Sequence, residues 1–543
     1  MADIATIPPE PVVSSWLSNG PICNPYIVGQ NADFSAYGSA PAMNGVPTWM
    51  AIGGVVLMIV ATHFLLAWRR KEKPAATYPR RDLLKVIPGL KTLIKKPFFP
   101  ILAQSLAIAL FALVISAGLF GSTRNNIAPV LTWTWWWVLL VFFVLGFGNI
   151  FCVICPWEGL SSLVTSGSLK SRIKRLGFEY KWPKAWRNIF PAIVLFILLT
   201  WFELGMNITA SPRMTATMGL WFAGFAILTA LVFERRAFCR YVCLVGRIQG
   251  MYALFSPLEL RPDSNDVCRT CTSKACYKGT ETTVGCPTQL FPGNLMENTY
   301  CTLCTECIRS CPHDNLSINL RPPATDLVRK VRFKMDEAIL AVVLLALTSF
   351  HGVTMTPYWS RINDLLRAEL GWGPKPVFTL LMIAMMLIPA ALFWFASGLS
   401  SRMAGAKDID TVKVFKAFAL SLIPIALFYH VAHNGMHFFM EAQYIIPLLS
   451  DPFGWGWDLF GTAGKTYPPL LSLRSIWWLQ IIMIFIGHLY GVVVADRLAH
   501  RLFQTRDRRM IFWGLLPLIV MMVLYSAFSV WLVAQPMEMR TGM

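Results

Sequence analysis

Cys301, Cys304, Cys307 and Cys311, the last followed by Pro312, are spaced C-x2-C-x2-C-x3-C-P. That spacing suits iron bound by thiolate. A tight loop lets three sulfurs reach three corners of one cluster, while the fourth cysteine leaves with the proline and serves a second cluster. A second set must then exist, and it precedes the first: Cys268, Cys271 and Cys276, spaced C-x2-C-x4-C, then Cys286 followed by Pro287. By the crossed rule one 4Fe-4S cluster takes Cys301, Cys304, Cys307 and Cys286, and the other takes Cys268, Cys271, Cys276 and Cys311. The stretch from Cys276 to Cys286 is longer than a minimal two-cluster domain uses. A pair of zinc ions on the same thiolates is the alternative chemistry.

Four further cysteines stand where hydrophobic stretches end: Phe151-Cys152-x2-Cys155-Pro156-x2-Gly159 and Phe238-Cys239-x3-Cys243-x2-Gly246. This is an internal repeat. Each copy closes a hairpin of two hydrophobic spans, which should bring the four sulfurs near one another. Three roles are open to them: ligating a further metal centre, exchanging electrons as thiols, or filling a helix end as small apolar residues.

The second half of the chain has histidines instead of cysteines. His430, His433 and His437 share one face of a helix by their spacing of three and four. His351 and His488 fall inside neighbouring hydrophobic stretches. An ionisable side chain within a membrane span is costly and is a functional candidate by default. His351, His430, His433 and His488 are therefore the candidates for haem b ligation or a quinone pocket, with a proton path and plain packing as alternatives.

The elements that must position these residues are membrane helices. Of 543 residues, 55% are hydrophobic and 14% charged, where a soluble chain carries about 25% charged residues. About ten stretches suffice to cross a bilayer, near 48-68, 98-120, 131-152, 189-205, 217-234, 337-356, 377-397, 414-436, 476-495 and 511-534. The formal charge of +19 follows topology and does not make a nucleic-acid surface, because the cations crowd alternate short loops. Arg80, Arg81, Lys85, Lys91, Lys95 and Lys96 mark one such loop, Arg329, Lys330, Arg332 and Lys334 another, and Arg501, Arg506, Arg508 and Arg509 a third. These loops are expected on the cytoplasmic side of a cell inner membrane, with both termini outside. Residues 1-47 begin acidic and are proline-rich, which reads as an external tail and not as a cleaved signal. Trp133, Trp135, Trp136 and Trp137 suit an interfacial anchor. Of thirteen cysteines, all but Cys23 lie on or beside the cytoplasmic face, where disulfides are disfavoured.

The doubled membrane motif followed by the eight-cysteine insert resembles the NosR/NapH-type membrane polyferredoxins over roughly residues 90-325, with oxidase-assembly polyferredoxins as more distant relatives. That family usually carries C-x3-C-P, and this chain departs from it twice, with x2 in the first copy and Leu244 in place of proline in the second. The expected architecture is an all-α polytopic membrane protein with an inserted ferredoxin-like two-cluster domain: a tail at 1-47, bundles at 48-255 and 326-543, and the cytoplasmic insert at 256-325. The resemblance implies an electron-transfer subunit of an oxidoreductase complex. It would move electrons between a cytoplasmic or quinone pool and an external cytochrome or reductase. The expected partners are membrane lipid, other redox subunits and quinone, with no nucleic acid; the alternative is a maturation or regulatory factor for a respiratory metalloenzyme.

Overall fold

A computed structural model describes residues 42-67, 78-96, 98-167, 176-234, 236-330, 332-406 and 408-538. Cys23 and most of the 1-47 tail lie outside the described residues, as do residues 68-77 and 168-175 of the basic loops. Nine helices among the described residues are long and apolar enough to cross a membrane. The order is α1 (Thr48–Ala67), α2 (Pro100–Phe120), α3 (Ile127–Phe147), α4 (Pro156–Ser166), α5 (Phe190–Gly205), α6 (Pro212–Val232) and α7 (Leu244–Tyr252). After the insert come α8 (Met335–Thr354), α9 (Pro374–Met403), α10 (Leu422–Glu441), α11 (Leu473–Leu502) and α12 (Arg508–Ala534). The tenth expected span, 189-205, is the 16-residue α5. At 1.5 Å per residue it covers about 24 Å, short of the roughly 30 Å hydrocarbon core.

The two expected bundles form one body. A continuous apolar core runs from Leu140, Ile189 and Phe222 in the first half to Phe428, Leu498 and Leu518 in the second. α1 packs with the second half, against α11 and α12. Thr62 of α1 hydrogen-bonds His488 of α11 at 2.8 Å, and the strand Ala42–Met43 pairs antiparallel with Met537–Glu538. The outer face of α1, with Ile52, Val56, Val60 and Phe64 exposed, is left for lipid. α10 sits at the centre, nearly all of it buried. Pro424 lies within the continuous helical run Thr411–Ser450, just after a 3-10 turn at Ala419–Ser421, where its missing amide interrupts the regular hydrogen-bond ladder. The tryptophans near 135 pack between helices as well as anchoring. Trp135 Nε1 donates to the Ala442 carbonyl, and Trp136 meets Phe151 and Trp157 edge to face.

The insert hangs on two strands. β1 (Leu258–Pro262) pairs antiparallel with β2 (Leu316–Leu320), Leu258 opposite Leu320 and Pro262 opposite Leu316, so the whole cysteine segment is held between paired ends. The two-residue strand Arg81–Asp82 adds to the other edge of β2. At the base, Arg321 joins Glu259 and Asp326 and Arg261 reaches the same two carboxylates, all nearly fully buried. Tyr78 donates to Glu259 at 2.8 Å. Buried charges satisfied this completely are costly to disturb one at a time, which locks the two ends of the insert together.

Candidate functional site

The eight insert cysteines sort into two groups of four. Cys286, Cys301, Cys304 and Cys307 line one cleft with Leu260, Leu290, Pro292 and Leu295. Cys276 and Cys268 are close enough to Cys271 and Cys311 that each of those sulfurs, if charged, pushes their thiols up. The two groups are neighbours, because Cys307 also lies within electrostatic reach of Cys276.

The backbone explains how short loops reach around a centre. Leu303 (φ +53°) and Thr305 (φ +61°) between the cysteines of the 301-307 loop, and Lys274 (φ +46°) between Cys271 and Cys276, take left-handed conformations rare for such residues. Alternating right- and left-handed residues turn successive N–H groups inward and make an anion-binding concavity, a common cradle for iron–sulfur sites. Such strain points to function when the surroundings hold it. Amide donors reach the sulfurs too: Leu290 N–H to Cys286 Sγ at 3.2 Å and Asn315 Nδ2 to Cys268 Sγ at 3.4 Å.

Burial pushes Cys301 up to about 12 and Cys276 up to about 11. Alone, these thiols stay protonated, and a metal cation taking the proton's place is what would make them thiolates. Cys271 differs. Its hydrogen bond with Ser273, the Lys274 amide and nearby His313 bring it down to about 7. Among the described residues, no three His, Cys, Asp or Glu side chains converge closely enough to hold a single metal ion.

Cys152, Cys155, Cys239 and Cys243 all line one cavity of about 80 Å³, together with Glu158, Arg236, Pro287 and Glu306. The repeat is visible in the backbone: Cys155 is the N-cap of α4 and Cys243 the N-cap of α7, both with extended dihedrals. A Cβ built on Gly246 would lie 3.3 Å from the Cys239 carbonyl oxygen, 3.7 Å from Cys152 Sγ and 3.8 Å from Cys243 Sγ, so both sulfurs border this glycine. Cys152 Sγ donates to Asn149 Oδ1 at 3.0 Å, and Gly246 N–H donates to Cys243 Sγ at 3.4 Å.

The histidines separate into two kinds. His430 has both ring nitrogens engaged, by Tyr252 and Thr348, at 2.5 and 2.9 Å. His488 is held by Thr62 and Ser526 at 2.8 and 2.9 Å. Each would have to give up a hydroxyl to ligate haem iron. The others gather into a row: His351 and His433 rings stand 4.8 Å apart and His433 and His437 5.0 Å apart. Glu203 lies 3.9 Å from His351, and Glu441 lies 3.2 Å from His437. Glu441 is buried and engaged in this row.

Sequence reasoning missed Arg236, Arg247 and Glu158. Arg236 pairs with Glu158 at 2.7 Å beside the membrane cysteines. Arg247 is wholly buried, with one Nη on the Thr299 carbonyl at 3.3 Å and its guanidinium 4.6 Å from the Tyr300 ring. The available signal was Arg236 and Arg247, which flank the Cys239 and Cys243 pair, and the acidic Glu158 three residues after Cys155.

No family model matches the chain, and no solved structure matches it. It is similar to a putative electron transport protein, YccM, of Escherichia coli, 29% identical over 124 residues, covering 22% of this chain and 31% of that one. It is also similar to the regulatory protein NosR of Stutzerimonas stutzeri, 24% identical over 33% of this chain and 26% of that one. An uncharacterized protein of Methanocaldococcus jannaschii is 26% identical over 33% of this chain and 69% of its own. The chain thus spans about a third or less of the length of the first two. Nine helices among the described residues, long and apolar enough to cross a membrane, make it a multi-pass membrane protein.

Proposed function

We propose that this chain is a membrane electron-transfer protein whose insert, of ferredoxin type, carries two 4Fe-4S clusters. Electrons would pass between a cytoplasmic or quinone pool and an external redox partner. The observation that carries the reading is the pairing of Cys286 with Cys301, Cys304 and Cys307 around one cleft, with Cys311 going to the other set. The four sulfurs border one cleft, and the C-x2-C-x2-C-x3-C-P spacing suits a cluster better than one tetrahedral zinc. When bound, such clusters supply one-electron exchange. The chain's own residues ligate, bury and neutralise: left-handed turns aim amides inward, Leu260 and Leu316 keep water out, and the strand pair fixes spacing.

A second reading, a maturation or regulatory factor, is favoured by the name of the NosR relative and by His430 and His488 being committed to hydroxyl partners. Combined iron, sulfide and haem quantitation on anaerobically purified protein tests both. At least about eight irons with matching sulfide is the expected result, and a colourless zinc protein would overturn it. Haem in addition favours the electron-transfer reading over the second.

A further inference from the structure

We propose that Cys152, Cys155, Cys239 and Cys243 together ligate a third iron–sulfur centre, seated between the membrane helices and the insert. Four thiols lining one cavity are an uncommon grouping, and the chain supplies them twice over from the same local geometry. In each copy the second cysteine caps a helix, α4 or α7. Both helix N-termini therefore present their partial positive ends where thiolates would stand.

The surroundings match a negatively charged centre. Arg236 lines the cavity, and its charge acts on Cys239. Arg247 acts on both Cys152 and Cys243. Its Nε and Nη2 are fully buried and have no hydrogen-bond partner among the described residues, a deficit that a nearby anionic group would relieve electrostatically. Gly246 keeps the space between Cys152 and Cys243 open. Four sulfurs around one cavity can hold a cluster, whose irons take them at separate corners.

Position gives the centre its use. The same cavity is lined by Pro287 and Glu306, the chain neighbours of Cys286 and Cys307. Arg236 lies within the field of both Cys239 and Cys304. Arg247 joins α7 to Thr299 and Tyr300, the residues just before Cys301. The order is then Cys268 set, Cys301 set, membrane set. Ligation replaces four S–H protons, released to water, by four S–Fe bonds. In use, one electron leaves the adjacent insert centre, which is oxidised, and enters this one, which is reduced. The electron route rests on the proposed function; the ligation does not.

The test is the iron and acid-labile sulfide content per chain of the whole protein. The expected wild-type value is about ten for a 2Fe-2S centre or about twelve for a 4Fe-4S centre, above the eight or so of the insert. Cys152→Ser with Cys243→Ser should bring it down to about eight, with the insert's paramagnetic signal kept as the sign of an intact fold. Gly246→Val, which keeps every thiol but fills the space between two of them, should lose the same iron. A wild-type value of about eight, a disulfide between any of the four cysteines in an anaerobic preparation, or an excess that survives both variants would overturn the proposal. Absence of iron from the insert as well would instead refute the proposed function.

Discussion

Single residues decide which sulfur serves which centre. Cys286 is distant in sequence from the 301-307 loop, yet it shares that loop's cleft with Thr288 and Leu290. Cys286→Ser should therefore remove about four irons and leave the Cys268 set loaded. Cys311→Ser should do the converse, although Cys311 is nearer in sequence to Cys307. Iron counts and the two resolved paramagnetic signals check this crossing. If Cys311→Ser emptied the 301-307 loop, ligation would be sequential. The spacing made these eight legible because thiolate ligation has few workable loop lengths. It could not show Arg247, which has no motif: an arginine reads as a surface residue until the fold buries it against Tyr300.

Helices and strands set how closely the insert sits on the membrane body. A Cβ on Gly250 of α7 would lie 2.1 Å from the Thr299 carbonyl oxygen, so the loop carrying Cys301 rests directly on helix backbone. Gly250→Ala must push them apart, at a cost of about 1–3 kcal/mol for overpacking. Earlier proteolysis near 296-300 and a lower unfolding temperature, with other helices unaffected, is the expected outcome; unchanged protection would mean the loop does not dock there. The existence of the spans was readable from hydropathy. Their partners were not, since α1 and α12 are apolar nearly all round and show no single polar face to orient them. Hence α1 was grouped with its sequence neighbours, while packing against α11 and the Thr62–His488 bond place it elsewhere. α5 was legible as a span only in part, being short and closed off by Asn207 in a left-handed conformation.

The molecule as a whole ties its first loop to its cysteine-rich insert. Lys91 and Lys95 flank Asp314, three residues past Cys311, with Lys95 at 3.1 Å. Lys91 first, then Lys95, holds the Asp314 carboxyl below the usual range. A lowered carboxylate stabilises above its ordinary pKa of about 4 and loses that contribution as pH falls through the lowered value. Hydrogen exchange across 90-96 should therefore rise below pH about 4, and Asp314→Asn should show the faster exchange already at neutral pH. Equal exchange in the variant would remove the tie. These pairs are half exposed and screened, so the effect is local, and the buried Arg321 network carries the attachment. Electron transfer by the insert can be tested by reduction with dithionite followed by paramagnetic resonance. The expected result is a signal from reduced iron–sulfur clusters that Cys286→Ser and Cys311→Ser each diminish. A colourless, silent protein after careful anaerobic isolation would contradict it.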